Sequence, residues 1–214
     1  MNTNPLKKIW SENRTAIGLW AGIPNSFTAE ILGGTGVDYV CVDQQHGLIG
    51  YEAVVPMFQA IGNAGATPIT RVLSNDPYLI MKSLDAGAWG VIVPLVNNGN
   101  EAARAVSACR YPPDGMRSNG PIRASAVIGS TDPEDLGGEV VCLVMVETRE
   151  ALDRVEEIAS TPGLDGIYIG PSDLALSLGM KPTLAVREGE HADAVRRIKV
   201  ACNEHGIASS TLLT

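Results

Sequence analysis

The stretch Val140–Asp173, VVCLVMVETREALDRVEEIASTPGLDGIYIGPSD, decides the fold class. It opens with an unbroken apolar run, Val140 to Val146, rich in valine and without polar alternation. Such a run suits a strand buried on both faces, as in a parallel sheet. Leu152, Val155 and Ile158 then recur at one-face helical spacing, with Asp153, Glu156 and Glu157 on the wet side. A second apolar run, Gly166–Ile169, ends in Gly170-Pro171-Ser172-Asp173. Strand, helix, strand in this order requires a right-handed crossover between parallel strands.

The same alternation extends in both directions. Candidate strands are Ile17–Ile23, Tyr39–Asp43, Pro68–Leu73, Gly90–Val96, Val140–Glu147, Gly166–Ile169 and Ile207–Leu212. Asn25 or Ser26 caps a helix to about Gly33, and Asp76-Pro77 starts another, ending near Gly87. Residues Asp193 to Glu204 form the last helix. The expected fold is α/β, one domain over residues 1–214, with seven strands in hand. A (β/α) barrel has eight strands in about 250 residues, so an eighth strand and a closing helix are not found here. Tyr111 to Ser130 interrupts the alternation as a Pro- and Gly-rich loop, a length more often functional than idle.

Composition narrows the function. The 214 residues are 45% hydrophobic and carry 16 basic against 24 acidic side chains, a net charge of -8. That is enough apolar matter for one core, and an acidic chain without a basic cluster is a poor partner for nucleic acid or an anionic membrane. The N-terminus, MNTNPLKKIW, is charged where a signal peptide needs its apolar segment. The four cysteines are scattered with no CxxC pair. These features predict a reduced, cytoplasmic protein.

Polar residues gather where the apolar runs end. Asp43-Gln44-Gln45-His46, Arg71, Glu147-Thr148 and Gly170-Pro171-Ser172-Asp173 all follow or close a strand. In a parallel barrel those ends share the face on which active sites are built. Glu147 and Asp173 are candidate ligands for one divalent ion, since oxygen donors suit Mg or Mn, with Co also possible. The alternative is a pair of solvated strand-end acids. His46 is a candidate acid/base, its ordinary pKa lying near neutrality, or a merely exposed histidine. Arg71 can steady a carboxylate or an enolate, or simply pair with Asp43 or Asp76. The turn at Ser172 offers backbone N–H groups to a carboxylate, or is only a turn. None of the five lysines sits at a strand end, so a Schiff-base aldolase is not expected. There is no GxSxG, no Walker A and no GxGxxG, hence no nucleotide cofactor.

Taken together, Asp43-x-Gln45-His46, Arg71, Leu84-Asp85-x-Gly87-Ala88-x-Gly90, Tyr111-Pro112-Pro113-x-Gly115-x-Arg117, Glu147-Thr148 and Gly170-Pro171-Ser172-Asp173-Leu174 resemble the HpcH/HpaI aldolase family over nearly the whole chain. The resemblance implies a (β/α)8 barrel and a metal-dependent class II aldolase that reversibly cleaves a 4-hydroxy-2-oxo acid to pyruvate and an aldehyde. It places Glu147 and Asp173 as metal ligands, Arg71 on the keto or enolate oxygen, and His46 as acid/base. It places the backbone at Ser172 and Asp173 on the pyruvate carboxylate, with Trp20 and Leu212 as pocket walls. Asp85 matches an acid that partners the histidine. Because Asp85 precedes a strand rather than following one, it can reach such a histidine only from another subunit, and the family is typically hexameric. Many members carry Glu where this chain has Gln45, and Asp43 and Gln45 are expected to hold metal-linked water. Two other readings stand beside this one: a lyase acting on a CoA thioester, and a non-catalytic member serving as an assembly subunit.

Overall fold

The computed structural model describes residues 1–184 and 188–212. Two compact units are present, one of Met1–Ile92 with Ser107–Val141, the other of Val93–Val106 with the described residues from Cys142 onward. In the first, α1 (Pro5–Ser11) precedes β1 (Gly18–Ala21), α2 (Ser26–Gly33), β2 (Tyr39–Asp43), α3 (Tyr51–Asn63), β3 (Thr67–Arg71), α4 (Pro77–Asp85) and β4 (Gly90–Val93, up to Ile92). α5 (Gly99–Cys109) leads on to α6 (Ala124–Ile128) and α7 (Pro133–Gly138). The second unit has β5 (Val141–Val146, from Cys142), α8 (Arg149–Asp153), α9 (Val155–Ala159), β6 (Gly166–Ile169), α10 (Pro171–Ser177), α11 (Glu190–Glu204) and β7 (Ala208–Thr211).

Every strand pair within the units is parallel and in chain order. β1 meets β2 with Trp20 opposite Cys41, and β2 meets β3 with Asp43 opposite Arg71. β3 meets β4 with Arg71 opposite Ile92. In the second unit Val146 lies opposite Ile169, and Ile169 opposite Thr211. All seven expected strands are thus present among the described residues; β2 and β6 have the expected bounds, and the other five are a little shorter than expected. Every residue of β2 through β6 is buried, which is why these runs show no polar alternation.

The helices cover the strands with single apolar stripes. α3 buries Val54, Met57, Phe58 and Ile61, spaced three, one and three residues apart. Full burial of each such side chain contributes about 1.5–3 kcal/mol. α11 buries Ala194, Val195, Ile198, Ala201 and Cys202 in the second unit. Three helices start alike: Asn4, Asp76 and Asp132 each accept a backbone N–H two residues on, and proline follows. Returns to the strands use left-handed glycines. Gly87 (φ 94°) and Gly163 (φ 78°) each sit three residues ahead of β4 and β6.

Three expectations need correction. The single helix read through Leu152, Val155 and Ile158 is two, because Arg154 leaves helical geometry (φ -115°, ψ 20°) and ends α8. The stretch Tyr111 to Ser130 is not all loop, since α6 lies within it. The last helix also begins three residues earlier than expected, at Glu190.

Candidate functional site

β2 and β3 end side by side, and their last residues meet. Arg71 Nε donates to Asp43 Oδ1 at 2.9 Å and Nη2 to Oδ2 at 2.5 Å, a two-point pair with side chains about one-tenth exposed. The Arg71 guanidinium carbon also lies 4.7 Å from the Trp20 ring centroid, so β1 contributes an aromatic face to the same cation. Burial alone pushes the Asp43 carboxyl up, but the hydrogen bonds and charge of Arg71 outweigh it and hold the group below its ordinary value. The pairing of Arg71 with Asp43 that the sequence left open is therefore present. It fixes the plane of a side chain with five N–H donors, two of which Asp43 takes.

Asp43 also shapes the turn at the end of β2. Its Oδ1 accepts the backbone N–H groups of Gln45 at 3.1 Å and His46 at 3.2 Å, which closes that turn. His46 is exposed on it. Gln45 points a buried side-chain oxygen, Oε1, at no donor among the described residues. Gln44 turns the other way, its Nε2 donating to Thr70 Oγ1 at 2.9 Å and Ser83 Oγ at 3.0 Å, and so ties β2 to α4.

Asp85, expected as a partner for a histidine, ends α4 and binds Arg117, whose Nη2 donates to its Oδ1 at 2.8 Å. The Arg117 side chain is fully buried while that of Asp85 is 26% exposed. The Tyr111 ring lies 4.7 Å beneath the guanidinium, and Arg117 Nε and Nη1 find no acceptor among the described residues. Thus Tyr111-Pro112-Pro113-x-Gly115-x-Arg117 places a cation on Asp85, a role not visible in its spacing.

In the second unit Glu147 follows β5 and is only 3% exposed. It is not a solvated strand-end acid. Leu95 donates its backbone N–H to Glu147 Oε1 at 2.8 Å. On the other side Gly170 comes so close that a Cβ there would collide with Glu147 Oε2 and sit 2.7 Å from Glu147 Cβ. The turn after β6 thus packs its backbone directly on the carboxylate, an approach that only a glycine permits. Asp173 lies in the first turn of α10, exposed, three residues beyond Gly170. Ser172 is half-buried in that turn, and no side chain caps the helix, so its first N–H groups are left to other acceptors. Leu212, half-buried, follows β7. No group of three or more His, Cys, Asp or Glu among the described residues could enclose a metal ion. What the fold offers is one buried carboxylate packed against the Gly170 backbone and a second, exposed carboxylate on the adjoining turn. That suits a hard cation that takes its other ligands from water and substrate.

Sequence reasoning missed Leu95 and the part played by Arg117. Neither a leucine in a polar loop nor an arginine 32 residues from its partner carries a local signal.

Residues 16–214 match the family model described as HpcH/HpaI aldolase/citrate lyase. A hydroxypyruvate/pyruvate aldolase of Rhizorhabdus wittichii is 42% identical over 203 residues, 95% of this chain and 81% of that protein. A 4-hydroxy-2-oxo-heptane-1,7-dioate aldolase of Salmonella typhimurium is 37% identical over 209 residues, 95% of this chain and 80% of that protein. A crystal structure of an HpcH/HpaI aldolase/citrate lyase family protein from Burkholderia cenocepacia superposes with a TM-score of 0.90 at 32% identity, covering 98% of this chain and 84% of that one. With its parallel strands, connecting helices and acid-bearing strand ends of the (β/α) barrel type, this chain belongs to the HpcH/HpaI aldolase/citrate lyase family.

Proposed function

We propose that the protein is an aldolase that reversibly cleaves a 4-hydroxy-2-oxo acid to pyruvate and an aldehyde. The observation that carries this reading is Glu147, a buried carboxylate at a strand end against which the Gly170 backbone packs closely, with a second carboxylate, Asp173, on the same turn. Relatives bearing aldolase names across 95% of the chain support it.

Glu147 and Asp173 would hold a divalent cation, Mg, Mn or Co, and the unmatched Oε1 of Gln45 is an acceptor suited to an accompanying water. When bound, such an ion supplies Lewis-acid polarisation of a keto oxygen. In cleavage the 4-hydroxyl gives up its proton, the C3–C4 bond breaks, and the aldehyde departs. The electron pair stays on the three-carbon fragment as an enolate until C3 takes a proton. Arg71, held flat by Asp43 and backed by Trp20, steadies the negative oxygen. His46, exposed on the turn that Asp43 closes, moves the proton. The uncapped start of α10 at Ser172 and Asp173 receives the substrate carboxylate. Trp20 and Leu212 bound the substrate. Asp85 serves a histidine of a second copy, so the working form is a homo-oligomer. The proposal places the reaction in the cytoplasm, where the four free, buried cysteines stay reduced. No described helix is long and apolar enough to cross a membrane.

Equilibrium binding of Mn²⁺ tests the ligand assignment. Glu147→Ala and Asp173→Ala should each abolish binding while leaving a folded protein. A variant that binds the ion as wild type does removes that residue from the ligand set. Borohydride added with pyruvate should leave the protein's mass unchanged; a covalent adduct would point to an amine-based reaction instead.

A further inference from the structure

Two residues other than glycine have positive φ among the described residues, Asn13 and Leu95. Asparagine often adopts that conformation, but leucine does so at a steric cost. Leu95 (φ 55°) is held there from several directions. Its N–H reaches Glu147 Oε1, and its carbonyl accepts from Asn97 Nδ2 at 3.0 Å. The Thr148 hydroxyl, next to Glu147, donates to Asn97 Oδ1, and Asn97 donates its own N–H to Glu101 Oε2 at 2.7 Å. Val96 donates to the Met145 carbonyl at 3.3 Å. The loop after β4 is thus strapped to the end of β5.

Packing does not explain the side chain so placed. Pro94 and Val96 on either side are buried, whereas Leu95 is 52% exposed. A strained, rigidly held apolar group beside the proposed cation-binding carboxylate is the kind of feature that persists at a functional site. Its surroundings also have a charge signature. Residues 93–101 contain no Lys or Arg and one acid, Glu101. Beyond them Arg104 is exposed on α5, and Arg149, two residues after Glu147, is paired with Glu190 at 3.0 Å.

Resting on the aldolase reading, we propose that the Leu95 side chain contacts the aldehyde fragment and selects an uncharged, apolar end over a carboxylate-terminated one. Pyruvate itself is small, and its polar atoms are served by the cation, Arg71 and the start of α10. The exposed leucine is left for the fragment beyond C4.

The test is aldol addition of pyruvate to butanal and to 4-oxobutanoate, of equal carbon count, by the full chain supplied with Mg²⁺. Wild type should prefer butanal. Leu95→Asn and Leu95→Gly both accept the left-handed backbone, so either reports on the side chain alone. Each should lower the butanal to 4-oxobutanoate ratio of kcat/KM by about tenfold or more, chiefly through KM for butanal. A wild-type preference for 4-oxobutanoate, or a ratio that the variants leave unchanged, overturns the inference. So does an equal loss for both aldehydes, which would mean that Leu95 acts only through Glu147. Exchange of pyruvate methyl protons with D2O by wild type, without aldehyde, separates the levels. Exchange with an unchanged ratio defeats this inference alone, whereas no exchange defeats the aldolase reading and this inference with it.

Discussion

Arg71 and Asp43 face each other at the ends of two adjacent parallel strands and share two hydrogen bonds, at 2.9 and 2.5 Å. A planar fork matched to a carboxylate fixes the guanidinium in a way that an ammonium cannot reproduce. Arg71→Lys is therefore expected to lower kcat for aldol cleavage by about 10²–10³-fold, the range for losing a preorganised oxyanion donor. Steady-state kinetics on the purified variant checks this, and a rate near that of wild type would remove Arg71 from the reaction.

The same pair predicts a pH dependence of stability. The Asp43 carboxyl is held below its ordinary value in the folded protein, so folding favours its ionised form. Its contribution is complete above the unfolded-state value, about 3.9, and is lost as pH falls through the folded-state value. Urea denaturation of wild type and Asp43→Asn should give a difference in stability that is constant from neutrality down to the unfolded-state value and shrinks below it. A difference that grows on acidification would contradict the shift.

Asp85 and Arg117 form an asymmetric pair, one side chain 26% exposed and the other fully buried. Removing the acid strands a buried cation that already has two unmatched nitrogens, whereas removing the cation leaves an acid that still reaches water. Asp85→Ala should therefore destabilise by about 3–5 kcal/mol, and Arg117→Met by less. Chemical denaturation orders the two, and the reverse order would contradict the burial asymmetry.

Much of this arrangement is legible in the sequence, for identifiable reasons. Strands buried on both faces leave continuous Val- and Ile-rich runs, so all seven can be read, and the residues ending those runs name Asp43, Arg71 and Glu147 directly. The Asp76-Pro77 start is legible because acceptor and proline are adjacent. Asn4-Pro5 and Asp132-Pro133 carry the same signal at α1 and α7, but neither is followed by a long apolar stripe that would mark a helix. The break at Arg154 leaves the apolar spacing intact, so periodicity conceals it. The left-handed Leu95 and the buried Arg117 depend on distant partners, Glu147 and Asp85, which no local pattern reveals.

Gly170 offers a test of the close packing against Glu147. Its backbone (φ -89°) suits any residue, so alanine there brings no backbone strain. The added Cβ would instead collide with Glu147 Oε2. Gly170→Ala should weaken Mn²⁺ binding by about tenfold or more, the scale for disturbing the immediate support of a metal ligand, and should also lower Tm, because the buried Glu147 has to shift. Calorimetric titration measures it. Unaltered affinity would show that the glycine does not fix Glu147 for the ion.

The central claim, that this chain draws a proton from pyruvate with the help of a cation at Glu147 and Asp173, is tested most directly by NMR of pyruvate methyl protons in D2O. After exhaustive chelation the protein should catalyse no exchange, and added Mg²⁺, Mn²⁺ or Co²⁺ should restore it in wild type but not in Glu147→Ala. Exchange that survives chelation, or that Glu147→Ala supports as well as wild type does, would contradict the account.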